Sequence, residues 1–254
     1  MYHLICQNLE FQYPQNPNFC LSIPELTCSL HYPLGIYGLT GSGKSTFGKI
    51  LGGLLIPTKG CFRLENAEPT SSSDKTKPRI LYLPQFPELI FLGMSIGNAW
   101  QKILKNWNNP VELTAKFADN LQKLGLDYNL IRERYGYELS SGELRLATIA
   151  LGITFASQLT IFDEPTIALS PPGRAKFENI LAEYNSQKEF MIISHDYRLL
   201  RKLCRNVLIF NLGSVIFNGE WKELDHNPSI IQQVGLNLLE NLSQRNTINE
   251  QKPN

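Results

Sequence analysis

The stretch GLTGSGKST at residues 38–46 limits what this chain can become more than any other part of it. Its glycines let the backbone turn sharply and come close to a ligand, in the spacing GxxxxGK[ST] that Lys44 and Ser45 complete. The preceding LGIY reads as a short buried strand. In the following FGKILGGLL, Phe47, Ile50, Leu51, Leu54 and Leu55 fall on one helical face, so the loop is expected between a strand and a helix N-terminus. Gly38, Thr40, Gly41, Ser42, Gly43, Lys44, Ser45 and Thr46 are the candidate phosphate ligands. Backbone N–H groups there offer partial positive charge, Lys44 adds a full one, and the Ser45 hydroxyl suits Mg²⁺. The plain alternative is a glycine-rich turn that binds nothing, and the strand–loop–helix context weighs against it.

At 254 residues the chain has room for one generous α/β domain or a large lobe carrying a smaller one. Its net charge of +1 gives no bulk electrostatic reason to expect a nucleic acid partner. The five cysteines are scattered and never form a CxxC pair, which argues for reduced, structural thiols rather than a disulfide frame or a zinc site. MYHLICQNLEFQ has neither a basic start nor a long apolar core, so the expectation is a protein that stays inside the cell. The most apolar region, Ala147 to Phe162, is too short and too polar to span a bilayer and reads as a buried helix followed by a buried strand.

Punctuation organises the rest. HLICQNLEFQY is an opening strand that turns at YPQNPN, residues 65–79 are a polar Pro/Ser-rich surface loop, and ILYLPQ is a further strand. Residues 87 to about 140 carry helical patterns, with Leu113, Phe117, Leu121 and Leu124 on one face, and suggest an inserted helical subdomain. Strands return at LTIF, FMII and VLIF between helical stretches, the rhythm of a parallel sheet with crossovers.

Within that rhythm QLTIFDEPT delivers Asp163 and Glu164 to the C-terminal end of a strand, where open α/β sheets place ligands. Asp163 is a candidate Mg²⁺ ligand opposite Ser45, and Glu164 a candidate general base toward an attacking water. A solvated acidic pair ending a strand is the alternative. FMIISHD puts His195 beyond another strand, within reach of a phosphate oxygen, although histidines near strand ends are usually structural. In YELSSGELRLATIA the Ser/Gly run before a helix has two readings: an anion site, or an N-cap by Ser140 or Ser141 with Glu143 in the first turn.

The order of these motifs resembles the nucleotide-binding subunit of ATP-binding cassette (ABC) transporters over about residues 2–220. GLTGSGKST is similar to the Walker A loop, YLPQ to the Q-loop with Gln85, LSSGE to the LSGGQ signature, LTIFDEP to Walker B, and IISHD to the switch-histidine motif. The resemblance implies a P-loop ABC ATPase core of α/β class, with an antiparallel β portion and a helical subdomain, that binds ATP and Mg²⁺. It adds Gln85 to the catalytic and metal-binding groups beside Glu164 and His195. It also implies that Ser140 and Gly142 act in trans, covering ATP held by the Walker loop of a second subunit.

Three further stretches resemble the energy-coupling factor (ECF) branch, importers of vitamins and of cobalt or nickel. EFQYP resembles the branch's adenine-stacking strand with Tyr13 as the ring, a core or edge aromatic being the alternative, LPQFPELIF resembles its Q-loop region, and LSPPGRAKF its LDPxGR element. The departures are Ser141 and Glu143 in the signature and Ser170 where aspartate is usual. They weaken what the chain offers a partner and leave its own half-site intact, so a heterodimer with a second ABC ATPase is expected rather than a homodimer. The resemblance implies as further partners a transmembrane coupling subunit and a substrate-binding membrane subunit, with the chain peripheral on the cytoplasmic face of the membrane. The expected division is an ATPase domain over 1–225 and a helical extension over 226–254 that packs on the dimer partner before fraying, with packing on the chain's own core as the alternative. Regulatory ATP binding without hydrolysis, or soluble non-transport ABC work, is the alternative.

Overall fold

The computed structural model describes residues 2–30, 32–66, 80–91, 93–155, 157–184 and 189–236. Two sheets carry the strands of the described residues. The larger is built from β3 (Leu34–Gly38), β5 (Ile80–Leu83), β6 (Leu159–Asp163), β7 (Phe190–Ile193), β8 (Asn206–Asn211) and β9 (Ser214–Glu220), in the order β5-β6-β7-β3-β8-β9. All of its pairings are parallel except β8 with β9. Strands covered on both faces need unbroken apolar sequence, which is why LGIYG, LTIFD and FMII are buried along their whole length.

Alternation along each strand divides the interior in two. On one face Ile36, Ile161, Ile193 and Leu208 join Phe47 and Ile50 of α1 (Lys44–Leu51) and the inner side of the smaller sheet. That sheet is antiparallel, with β1 (Tyr2–Tyr13) between β2 (Asn16–Ser29) and β4 (Lys59–Asn66), and it contributes Leu4, Leu21 and Ile23. On the other face Tyr37, Phe162, Ile192 and Ile209 pack on α5 (Ser141–Thr154), α6 (Pro171–Tyr184) and α7 (Tyr197–Leu203). α1 is shorter than its apolar spacing predicts: Gly52 and Gly53 end it, Gly53 with φ +72°, and Leu54 is left 64% exposed.

Between β5 and α5 run the short helices α2 (Ile96–Leu104), α3 (Pro110–Lys123) and α4 (Tyr128–Ile131). Ser95 caps α2 by accepting from the Asn98 N–H. Phe117, Leu121 and Leu124 are buried as their spacing predicts. Trp100 stacks on Phe117 at 4.2 Å between ring centroids, and its indole N–H donates to Thr114 Oγ1. A buried polar junction ties this segment down: Asn120 donates to Thr154 of α5 at 3.0 Å and accepts from the Tyr184 hydroxyl of α6 at 2.9 Å.

After β9 come α8 (Trp221–Asp225) and α9 (Pro228–Gln233). Val234 and Leu236 are buried in the chain's own core, with Ile230 and Ile231 packed against it, while α9 has no fully buried residue. Leu238, Leu239 and Leu242 lie outside the described residues, as does most of the loop expected at 65–79. All five cysteines are free; Cys6, Cys28 and Cys204 are buried, and burial pushes the Cys6 thiol up to about 12.

Trp100→Ala removes the largest side chain in the helical segment's core. It is expected to cost ~3–5 kcal/mol of stability, measured by urea denaturation against the unaltered chain.

Candidate functional site

The phosphate loop leaves β3 at Gly38 and enters α1 at Lys44. Gly41 and Gly43 hold φ of +80° and +105°, a region that side chains rarely adopt. A Cβ on Gly43 would come within 3.0 Å of Leu21 Cδ1. The turn between β8 and β9 braces the loop from outside, with the Gly213 N–H donating to the Ser42 carbonyl at 3.0 Å. Lys44 is buried and folds back over the loop, where Nζ donates to the carbonyls of Gly38 at 2.7 Å and Leu39 at 2.9 Å. Burial pulls its ammonium below the usual lysine range, against the opposing pull of Glu164 and Asp163.

Asp163 stands at the end of β6 with both oxygens engaged. Oδ1 accepts from the Ser45 hydroxyl at 3.2 Å and Oδ2 from the Tyr82 hydroxyl at 2.5 Å. Burial lifts its carboxyl above the usual range, offset by the Tyr82 and Ser45 hydrogen bonds. A hydroxyl and a carboxylate facing each other are hard oxygen donors of the kind Mg²⁺ takes, so these residues fit that ion. Glu164 follows with a left-handed backbone, φ +51°, anchored by its N–H on the Ile193 carbonyl at 2.8 Å. Its side chain is held at both ends. Oε1 accepts from the His195 N–H at 2.8 Å and lies 2.8 Å from His195 Nδ1, while Oε2 accepts from Ser194 at 3.1 Å. His195 is thereby joined to Glu164, while most of its ring stays exposed.

A cavity of about 270 Å³ beside the loop is lined by Tyr13, Asn16, Phe19, Gly41, Gly43, Lys44, Ser45 and Thr46. The Tyr13 hydroxyl pairs with Thr46 Oγ1 at 3.1 Å, and its ring leans on Phe11 and Phe19. A larger cleft of about 590 Å³ between α3 and α4 holds none of the candidate residues.

Ser140 and Gly142 do not line that cavity. Ser140 caps α5: its Oγ accepts from the Glu143 N–H at 3.2 Å, and Glu143 Oε2 accepts in return from the Ser140 N–H and hydroxyl, each at 2.8 Å. These bonds hold the Glu143 carboxyl below the usual range. Within this chain, then, the capping alternative for LSSGE is the one realised. Ser170 caps α6 through the Gly173 N–H at 3.4 Å, a bond for which aspartate's extra charge is not needed. Gln85 is half-buried after β5, and its carbonyl accepts from Arg145 of α5, which also donates to the Pro84 carbonyl at 3.3 Å. Arg145 is buried, and its Nε has no hydrogen-bond partner among the described residues.

Four residues at this site have no role assigned from the sequence alone. Ser194 is hidden one position before His195, Phe19 stands across a hairpin from Tyr13, and Arg145 lies past the signature. Tyr82 could have been found, since alternation along ILYLPQ turns it to the face that Ile161 and Asp163 share.

The sequence pattern of the ABC transporter family matches residues 22–167, more than half of the chain. An energy-coupling factor transporter ATP-binding protein EcfA2 of Clostridioides difficile is 30% identical over 81% of this chain and 74% of its own length. The protein of the same name in Clostridium perfringens is 27% identical over 91% of this chain and 84% of its own. The solved structure of cbiO1 from Clostridium perfringens, part of the ABC transporter complex cbiONQ, superposes with a TM-score of 0.68 at 24% identity, covering 93% of this chain and 96% of that one. The P-loop core, the second antiparallel sheet and the helical segment are accordingly a shared fold. The chain belongs to the ABC transporter family, as an ATPase whose relatives include the ATP-binding proteins of energy-coupling factor transporters.

Proposed function

We propose that this chain is the ATP-binding and hydrolysing subunit of an ECF-type importer that powers uptake of a vitamin or a transition-metal ion such as cobalt or nickel. The observation that carries this reading is the convergence of Lys44, Ser45, Asp163, Glu164 and His195 at one edge of the parallel sheet. Relatives named as energy-coupling factor transporter ATP-binding proteins support the ECF class. The ATPase domain spans 1–225 with the helical subdomain at about 87–140, and residues 226–236 add to the same core.

Triphosphate oxygens compete for the Lys44 ammonium, which leaves the Gly38 and Leu39 carbonyls, while loop N–H groups and Thr40, Ser42 and Thr46 line the phosphate path. Tyr13, with Phe19 beside it, faces the base. Ser45, Asp163 and Gln85 would hold Mg²⁺, which would offset charge on the phosphates. Glu164 takes a proton from the attacking water, held in position by Ser194 and the His195 backbone, and His195 senses the terminal phosphate. Ser140 and Gly142 serve ATP bound by a second ATPase subunit. The dimer drives a transmembrane coupling subunit and a substrate-binding membrane subunit from the cytoplasmic face of the membrane. Among the described residues no helix is long and apolar enough to cross a membrane.

The capping box supports pairing with a different ATPase. The Ser140 hydroxyl is already spent on Glu143, and a carboxylate stands where a neutral amide would meet a triphosphate. Two copies of this chain would make two such sites; a partner with an ordinary signature leaves one strong site. The same observation favours, as a second reading, a subunit that binds ATP for regulation without turning it over.

Lys44→Ala is expected to abolish nucleotide binding, while Glu164→Gln keeps binding and slows turnover by at least ~10²-fold, measured on the assembled complex by equilibrium binding and phosphate release. Fast turnover by Glu164→Gln would reject Glu164 as the base, and no turnover by the unaltered complex would favour the regulatory reading. For the pairing, the mixed complex should hydrolyse ATP faster than the self-paired one with membrane subunits present in both. Equal rates would sink the heterodimer.

A further inference from the structure

Tyr82 occupies a position that sheet geometry and helix composition both single out. On β5 it pairs with Ile161 of β6, so its side chain lies on the face from which Asp163, two residues further, also projects. The ring runs along α1 over Gly48 and Gly52, four residues apart and so on one side of that helix. A Cβ on Gly48 would come within 3.0 Å of Tyr82 Cε2, and one on Gly52 within 2.6 Å of Tyr82 Cβ. Ser45 lies on the same side of α1, three residues before Gly48. The ring is thus confined in a groove that ends at Ser45, and its hydroxyl donates to Asp163 Oδ2 at 2.5 Å.

We infer that Tyr82 is a positioning residue for the magnesium site: by taking Oδ2 of Asp163, it stops the carboxylate from rotating and leaves Oδ1 as the oxygen presented beside Ser45. Magnesium tolerates little departure from octahedral geometry and is usually held by few carboxylate oxygens with several of its waters retained. A carboxylate free to turn would divide its time between orientations, of which a fraction suit the ion. The hydroxyl of Tyr82 removes that freedom without touching metal or nucleotide. The inference rests on the assignment of Ser45 and Asp163 to Mg²⁺ made above.

Tyr82→Phe tests it, because the ring that fills the groove over α1 remains. Binding of a fluorescent ATP analogue to the full chain is measured first with EDTA and then across a Mg²⁺ titration. The expected result is unchanged affinity in EDTA, which also reports a folded loop, with the Mg²⁺ concentration for half of the metal-dependent gain in affinity raised by about tenfold, the scale of a lost hydrogen bond to a charged group. A purely structural role would weaken binding in EDTA as well, and that result would overturn the inference, as would an unchanged or lowered Mg²⁺ requirement. If the unaltered chain gains no affinity from Mg²⁺, the magnesium assignment itself fails and this inference with it. If it gains affinity and Tyr82→Phe matches it at every Mg²⁺ concentration, only the inference falls.

Discussion

The backbone ladder that sets β3, β6 and β7 side by side in parallel is the constraint on which the site depends. Ile36 pairs with Ile193, and Asp163 with Ile193 on the other side, so three strand ends finish at one level. From that level the chain continues into the phosphate loop, the Asp163–Glu164 pair and the Ser194–His195 pair. A parallel register can be held only if both faces are covered, and α1, the antiparallel sheet and helices α5 to α7 provide the cover. Slipping one strand by a residue would turn its apolar side chains to the wrong layer and carry its polar terminus away from the others. Core packing therefore fixes the chemistry to within hydrogen-bond distance, as the 2.8 Å contact between Glu164 and His195 shows.

Much of this was legible in the sequence, for reasons that differ by element. Phosphate binding needs glycine at particular backbone angles, and a parallel strand needs continuous apolar residues, so GLTGSGKST, LTIFDE and FMIISHD declared both themselves and their order. The end of α1 was not legible, because Leu54 keeps the helical spacing while the Gly52–Gly53 pair terminates the helix before it. The C-terminal run was open in the sequence for a related reason: apolar spacing marks a face to be buried but not the surface that buries it, and Val234 and Leu236 take the chain's own core. Tyr82 was marked only by the alternation of its strand, and Arg145 was hidden because it acts on the Pro84 and Gln85 carbonyls, far away in sequence.

The signature segment shows how one group of atoms can serve two demands. Ser140 and Glu143 satisfy the exposed start of α5 with reciprocal hydrogen bonds, which stabilise the helix locally. In the proposed dimer, those same atoms are the ones that a neighbouring subunit's nucleotide would have to recruit. Helix stability and service in trans thus compete for one hydroxyl, and the glutamate shifts that competition toward the helix.

The distribution of sulfur turns the fold into its own indicator. Cys20 on β2 and Cys61 on β4 are exposed, both on the antiparallel sheet, whereas Cys6, Cys28 and Cys204 are enclosed, with thiols that burial keeps from ionising at neutral pH. Alkylating reagents attack thiolates, so the native chain offers them two sulfurs and the unfolded chain five. Mass added per molecule then counts the open fraction directly, and separates loosening of the small sheet, which would release Cys6 and Cys28, from loosening around Cys204 beneath α7.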